Sequence, residues 1–300
     1  MKSQLNNALA FFQVVAIITN LSTFLSAKLL SFFTTTKFFF YPDVLLTLYT
    51  LNITVMHKLF PIILIALSLS LTACRHSNAN TSDTQSQPVV LSDDASGFVS
   101  INDVVPGVIL EIRYFSTYNF VGSRIDGYDA PVALCTRQAA DALAVADSLL
   151  RLQGYRLKIF DAYRPQKAVD HFVRWAHDVA DTAMKPFFYS DVDKRNLFAL
   201  DYIALHSGHS RGSTFDLTLF DQRSGREVDM GGTFDFFGER SHPDYDDITA
   251  QQKANRQILR DAMTAAGFKP LYTEWWHFTL RNEPYPDTYF TFPVSLSALR

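Results

Sequence analysis

Two stretches far apart in the chain carry side chains suited to hydrolysis. Ser207-Gly-His-Ser-Arg-Gly-Ser-Thr-Phe-Asp216 and Glu274-Trp-Trp-His277 supply two imidazoles, one carboxylate for ligation and one spare carboxylate. This set suits a hydrolytic zinc centre. Three protein ligands on Zn²⁺ leave the fourth tetrahedral position to water, whose pKa falls to about 7, and a free carboxylate nearby can carry the proton. Each piece alone has a plainer reading. A histidine among serines is commonly a surface hydrogen-bonding residue, and an aspartate at a strand start is commonly a turn residue. Glu274 and His277 alone fit a solvated strand edge with the tryptophans as core. A third element, Asp161-Ala-Tyr-Arg164-Pro165, sets an arginine between a strand and a helix start. Its guanidinium either pairs with Asp161 or stabilises a developing oxyanion.

The elements that must position these groups show in the apolar periodicity. Val108 to Phe115 and Tyr155 to Phe160 are rich in β-branched and aromatic residues and predict strands. Thr136 caps a helix in which Ala139, Leu143, Ala146 and Leu150 share a face, with Gly154 beyond its end. Pro165 suits the first turn of a second helix, with Val169, Phe172, Val173, Ala176 and Val179 as its apolar stripe. A third starts at Thr249 with Gln252 as capping-box partner, buries Ile258, Leu259, Ala262 and Met263, and stops at Gly267. Thr214 to Phe220 alternates, so Phe215, Leu217 and Leu219 face one way and Asp216 and Thr218 the other.

The spacings predict two departures from regular strand. His209 lies seven residues before Asp216, an odd separation that points the two to opposite faces of a straight strand, so the backbone turns between them at Gly208 and Gly212. Glu274 and His277, three apart, share a face only across a tight turn or bulge at Trp275-Trp276, just before a strand Phe278 to Leu280. Helices and strands cluster without steady βαβ alternation. This predicts an α+β fold, a single domain with a largely antiparallel sheet flanked by helices and the zinc site in a cleft on the sheet.

Taken together, Asp161-Ala-Tyr-Arg164-Pro, Ser207-x-His209-Ser-Arg-Gly-Ser-x-x-Asp216-Leu-Thr-Leu, Phe234-Asp235-Phe236 with Glu239-Arg-Ser-His242, Glu274-x-Trp-His277 and Tyr118-Asn-Phe-Val-Gly122 resemble the zinc D-alanyl-D-alanine dipeptidases of the VanX type. The resemblance spans roughly Ile101 to Phe292. It implies one zinc ion held by His209, Asp216 and His277, with Glu274 as general base and acid and Arg164 as the transition-state cation. It also implies that Asp235 holds the substrate's ammonium, aided by Ser207, and that the substrate is a D,D-dipeptide. A turn acid after Gly231-Gly232 is the plainer reading of Asp235. Two other functions fit the same residues: a murein carboxypeptidase or endopeptidase of the same zinc class, and a non-catalytic, zinc-stabilised envelope binding domain. A structural zinc site is usually closed by four ligands and needs neither a spare base nor an oxyanion partner, which speaks against the last. The acidic loop Asp244-Tyr-Asp-Asp247 lacks the glycine and terminal glutamate of a dedicated calcium loop.

The N-terminal third reads differently. Residues 1–55 hold phenylalanine runs without helical or strand period, and Gln13, Asn20 and Lys28 interrupt each apolar run before spanning length. They are either a stretch upstream of the true start or an extra membrane-associating segment. At 56–74, His57 and Lys58, the apolar run Leu59 to Leu71, and Leu71-Thr-Ala-Cys74 resemble a bacterial lipoprotein signal ending at Cys74. This predicts a lipid anchor at Cys74 and a place in the cell envelope, periplasmic or outer-membrane facing. The resistance-linked members of the family act in the cytoplasm, so a signal here is a departure. Residues 75–92 are polar, a flexible linker, and 93–300 form the catalytic domain. Cys74 and Cys135 are the only cysteines, which rules out a disulfide framework once Cys74 is lipidated. A net charge of −3 without a basic stripe argues against nucleic acid as a partner.

Overall fold

The computed structural model describes residues 89–300. The expected extension, signal, Cys74 anchor and most of the linker lie outside the described residues. Among the described residues, ten strands form three sheets: β1 (Val90–Ser92), β2 (Phe98–Ser100), β3 (Ile109–Leu110), β4 (Leu134–Thr136), β5 (Tyr155–Asp161), β6 (Thr214–Asp221), β7 (Arg226–Glu227), β8 (Phe268–Leu271), β9 (Glu274–Leu280) and β10 (Thr288–Phe290). The main sheet runs β3-β5-β6-β9-β8, with β7 paired to β6; β1 pairs with β10 and β2 with β4. The α-helices of the described residues are α1 (Ile101–Val104), α2 (Arg137–Arg151), α3 (Gln166–His177), α4 (Lys185–Phe188) and α5 (Ala250–Ala265).

The fold is mixed α/β, and its sheets are mixed rather than largely antiparallel. β3 joins β5, and β1 joins β10, in parallel, while the pairs of β5, β6, β8 and β9 run antiparallel. The expected strand Val108 to Phe115 is shortened to Ile109–Leu110, because the chain turns into a 3₁₀ segment at Arg113–Phe115 that buries Tyr114.

β6 follows its alternation. Phe215, Leu217 and Leu219 are fully buried, each contributing about 1.5–3 kcal/mol by leaving water, and they form the floor from which Asp216 projects. α2 packs against β5 and α5, and α5 against β8. Both helices start as their sequences dictate. Thr136 Oγ1 accepts from the Ala139 N–H at 3.3 Å, and Thr249 and Gln252 form a reciprocal capping box. Ile258 is only half-buried, while Leu259, Ala262 and Met263 reach the core. Pro165 stands as N-cap of α3. The stripe there differs at one end: the helix stops at His177, Val179 is exposed, and Trp175 is buried instead.

Two irregular segments wall the cleft beside β6. The first runs from α3 to β6 and is pinned by the buried Lys194, whose ammonium donates to the Asp178 and Asp181 carbonyls at 2.7 and 2.8 Å over the Trp175 ring. The second, from Val228 to His242, is held by Arg256 of α5. Its guanidinium donates to the carbonyls of Met230, His242 and Arg240 at 2.7, 2.7 and 2.9 Å, supplying partners that buried backbone requires. Cys135 on β4 is buried and free.

Candidate active site

One row across the sheet carries most of the chemistry. The β5–β6 ladder sets Asp161 opposite Asp216, and the β6–β9 ladder sets Asp216 opposite His277. Directly opposite residues have Cβ atoms about 4.5–5.5 Å apart, within reach of a shared partner.

His209 reaches the same point from the 3₁₀ turn Gly208–Arg211. Ser207 caps that turn by accepting from the His209 N–H at 3.2 Å, and Gly212 ends it at φ 79°, where an added Cβ would sit 2.2 Å from the Phe98 ring. The expected turn between His209 and Asp216 is therefore present, and only glycine fits its exit. On the other side the ladder passes from Pro270↔Phe278 to Leu271↔Glu274. One step along β8 spans four along β9, so Trp275 to His277 bulge between paired residues. The strand begins at Glu274 rather than Phe278, because pairing resumes beyond the bulge. Both tryptophans are buried, edge to face at 5.3 Å.

The three ligand candidates converge. Asp216 Oδ2 lies 3.2 Å from His209 Nε2, Asp216 Oδ1 lies 3.1 Å from His277 Nδ1, and the two imidazole nitrogens are 3.3 Å apart. Atoms bound at about 2.0–2.1 Å to one tetrahedral ion sit about 3.3 Å apart, so the spacing fits a shared metal. The protonation pattern fits too. His209 Nδ1 donates to the Ala162 carbonyl at 2.7 Å, which leaves the Nε2 lone pair facing His277. Asp216 Oδ1 is buried without a hydrogen-bond partner.

The electrostatics favour positive charge at this point. Burial alone would raise the Asp216 carboxyl, but the two imidazoles hold it well below the usual carboxylate range. Burial would lower His277, yet the adjoining Asp216 and Glu274 carboxylates outweigh it and push the imidazole up to about 9. A metal in place of that proton meets the same carboxylates. Among the described residues, His209, Asp216 and His277 form the one cluster able to hold an ion. Glu274 stands outside it, with Oε2 3.3 Å from His277 Nδ1 and its side chain partly open to solvent.

Around this cluster lies a cleft of ≈ 260 Å³ whose lining includes the candidate site residues Arg164, Ser207, His209, Asp216, Asp235, Glu274 and His277. The Arg164 guanidinium bonds Asp161 Oδ2 at 2.9 Å, approaches Asp216 Oδ2 at 3.4 Å and lies over the Tyr114 and Phe172 rings. The plainer reading of this arginine, pairing with Asp161, is present, and the same residue also lines the cleft. Asp235 is buried, with a backbone φ of 62° that non-glycine residues seldom adopt. Burial and the nearby Asp216 charge raise its carboxyl well above the ordinary value, against the pull of Arg164 and the Tyr114 hydrogen bond. Ser207 lines the cleft, and its hydroxyl serves as the cap.

Sequence reasoning missed three contributors. Tyr114 donates to Asp235 Oδ2 at 2.8 Å, Tyr128 donates to Asp161 Oδ1 at 2.6 Å, and Arg256 clamps the segment carrying Asp235. No local spacing marks the two tyrosines, because each meets its partner only through the tertiary fold. A buried arginine on α5 was detectable as a charge on an apolar stripe. The acidic loop shows no metal cluster; Asp244 and Asp246 pair with Arg260 and Lys253.

Known proteins resemble this chain in sequence. The profile of the D-Ala-D-Ala dipeptidase family matches residues 94–295. The chain belongs to this family. A D-alanyl-D-alanine dipeptidase of Enterococcus faecium is 40% identical over 198 residues, covering 66% of this chain and 98% of the relative. The one from Enterococcus faecalis is 41% identical over 200 residues, 67% of this chain and 99% of the relative. That of Escherichia coli is 34% identical over 187 residues, 62% of this chain and 86% of the relative. Membership makes the protein a hydrolase.

Proposed function

We propose that this protein is a zinc-dependent D-Ala-D-Ala dipeptidase of the cell envelope, anchored by lipid at Cys74. The observation that carries the zinc reading is a three-ligand cluster with a separate carboxylate, Glu274, beside it. A closed structural site would use four ligands and no spare base. The relatives named as dipeptidases supply the substrate.

His209, Asp216 and His277 would hold Zn²⁺, which when bound would supply Lewis acidity and a water acidified to near neutral pH. Glu274 takes the proton of the attacking water and delivers it to the amine leaving as the second D-Ala. The Arg164 guanidinium offsets negative charge building on the carbonyl oxygen. At about 4 Å and an effective dielectric near 20, that attraction is about 4 kcal/mol before desolvation, enough to govern the rate. Tyr114 and Phe172 stack on Arg164 and keep it from turning away. Asp235 receives the substrate's ammonium, and Ser207 holds the turn that aims His209.

The choice of a dipeptide over a longer peptide rests on the cleft. Its volume falls near the lower end for small-ligand pockets, about 300 Å³, and Asp235 sets a carboxylate where a longer substrate would carry a neutral amide. Full-length protein with zinc is offered D-Ala-D-Ala, acetyl-D-Ala-D-Ala and a stem pentapeptide ending in D-Ala-D-Ala. Rapid release of D-Ala from the free dipeptide alone is expected; equal rates on the pentapeptide would establish the carboxypeptidase reading instead. For the anchor, mass spectrometry of the membrane fraction should find Cys74 acylated, and Cys74→Ala should leave the chain unacylated.

A further inference from the structure

A zwitterionic dipeptide needs a cation for its C-terminal carboxylate as well as an anion for its ammonium. Carboxylates are plentiful in the cleft: Asp201, Asp216, Asp235 and Glu274 all line it. Cations are few. Arg164 is bonded to Asp161 and Asp216 and serves the reacting carbonyl, and His209 and His277 are metal ligands. Of the basic side chains lining the cleft, this leaves His206.

The surroundings of His206 fix which ring nitrogen is free. Gln166 Nε2 donates to Asp170 Oδ1 at 3.0 Å and to the Leu205 carbonyl at 2.9 Å, both acceptors only, so the amide orientation is settled. Its Oε1 therefore faces His206 Nδ1 at 3.2 Å and accepts from it. Nε2 is the nitrogen left for a ligand. The ring rests against Tyr289 with centroids 4.9 Å apart, and the residue is exposed at the cleft, next to the Ser207–Gly208 entry of the His209 turn. The charged groups around it are Asp170, reached through Gln166, Asp201 in the cleft, and Arg211, which lies over the Tyr289 ring and is paired with Glu283.

We infer that His206, oriented by Gln166 so that Nε2 is free, binds the C-terminal carboxylate of the dipeptide and so fixes the end of the substrate opposite the ammonium. The inference rests on the dipeptidase reading and deepens it. It assigns His206 to substrate binding and leaves the bond-breaking groups unchanged. The carboxylate also distinguishes a true dipeptide from one continued or amidated at its C-terminus.

The test compares full-length, zinc-loaded wild type, H206Q and H206K on D-Ala-D-Ala and on its C-terminal amide. For the acid, H206Q should raise KM about three- to fivefold, the range of an exposed charge pair, with kcat within about twofold. H206K should recover most of that loss. For the amide, the three proteins should have the same KM. Calorimetric binding of D-Ala-D-Ala to Glu274→Gln, with and without H206Q, should repeat the contrast without turnover. An unchanged KM for the acid in H206Q, or an equal loss on acid and amide, overturns the assignment. A wild type that cleaves neither substrate overturns the dipeptidase reading itself, a result distinct from a cleaving wild type with an indifferent H206Q.

Discussion

Asp216 and His277 stand directly opposite one another on adjacent antiparallel strands, so the sheet register sets the distance between two of the three metal-capable side chains. Register is costly to shift, because a one-residue slip would turn Phe215, Leu217 and Leu219 out of the core. The third ligand candidate lies outside the ladder. His209 sits on a 3₁₀ turn and is aimed by two bonds, one from its ring to the Ala162 carbonyl and one from its backbone to Ser207. The centre therefore joins a rigid pair to a ligand whose position depends on loop geometry.

That division separates the roles of Glu274 and His277, three residues apart on the β9 bulge. Glu274→Gln removes the spare base but none of the cluster, so kcat should fall about 10²–10⁴-fold with zinc still bound at one ion per chain. His277→Ala removes a ligand and should lose both zinc and activity. Elemental analysis of the two purified variants checks this, and equal zinc loss in both would contradict the assignment.

The turn beneath His209 gives a second test. Gly212 adopts φ 79° and faces the Phe98 ring so closely that a methyl group has no room. Gly212→Ala should destabilise the fold by more than about 1 kcal/mol, through backbone strain and displacement of Phe98. Because the same turn aims His209, zinc affinity should fall along with the melting temperature. Competition with a chromophoric chelator measures the first and calorimetry the second.

Much of this was legible in the chain because period and capping are local. The alternation of β6, the Thr136 cap of α2 and the Thr249–Gln252 box of α5 each follow from residues within one element. The site residues were legible for a different reason: their types match a family pattern, and the awkward spacings of His209 to Asp216 and Glu274 to His277 announce a turn and a bulge. What stayed hidden depends on partners distant in sequence. β3 is short because Arg113 to Phe115 coil to bring Tyr114 to Asp235, 121 residues away. The parallel pairing of β1 with β10 joins the two ends of the described chain, which no window of residues reports. The cleft wall from α3 to β6 has no apolar period at all, being pinned by Lys194 bonding to carbonyls.

Arg256 permits a test of how the Asp235 segment is held. Its three bonds reach the carbonyls of Met230, Arg240 and His242, on both sides of Asp235. Burial lowers this guanidinium to about 10, a sign that no carboxylate offsets its desolvation. Arg256→Met fills a similar volume but leaves those carbonyls without partners, each costing about 1–3 kcal/mol if it stays dry. A melting temperature several degrees lower is expected, with raised KM for D-Ala-D-Ala and full zinc content. Unchanged KM would show that the segment keeps Asp235 in place unaided.

Asp235 itself should trade stability for binding. Its carboxyl is raised well above the unfolded value of 3.8, first by burial and then by the Asp216 charge, so the folded chain favours the protonated form. For a group raised on folding, the stabilising contribution is full below the unfolded pKa and is lost as pH rises through the folded pKa. Asp235→Asn cannot ionise, and asparagine tolerates the φ of 62°. The zinc-free variant should match wild type near pH 4 and gain on it as pH rises toward 8, by about 1 kcal/mol, a typical gain when a functional residue is removed. Urea unfolding at four pH values across that range measures the difference. At the same time KM for D-Ala-D-Ala should rise, since a neutral amide cannot balance an ammonium. A variant less stable than wild type at pH 8 would mean that the ionised carboxylate is already offset in the folded chain by Arg164 and the Tyr114 hydroxyl.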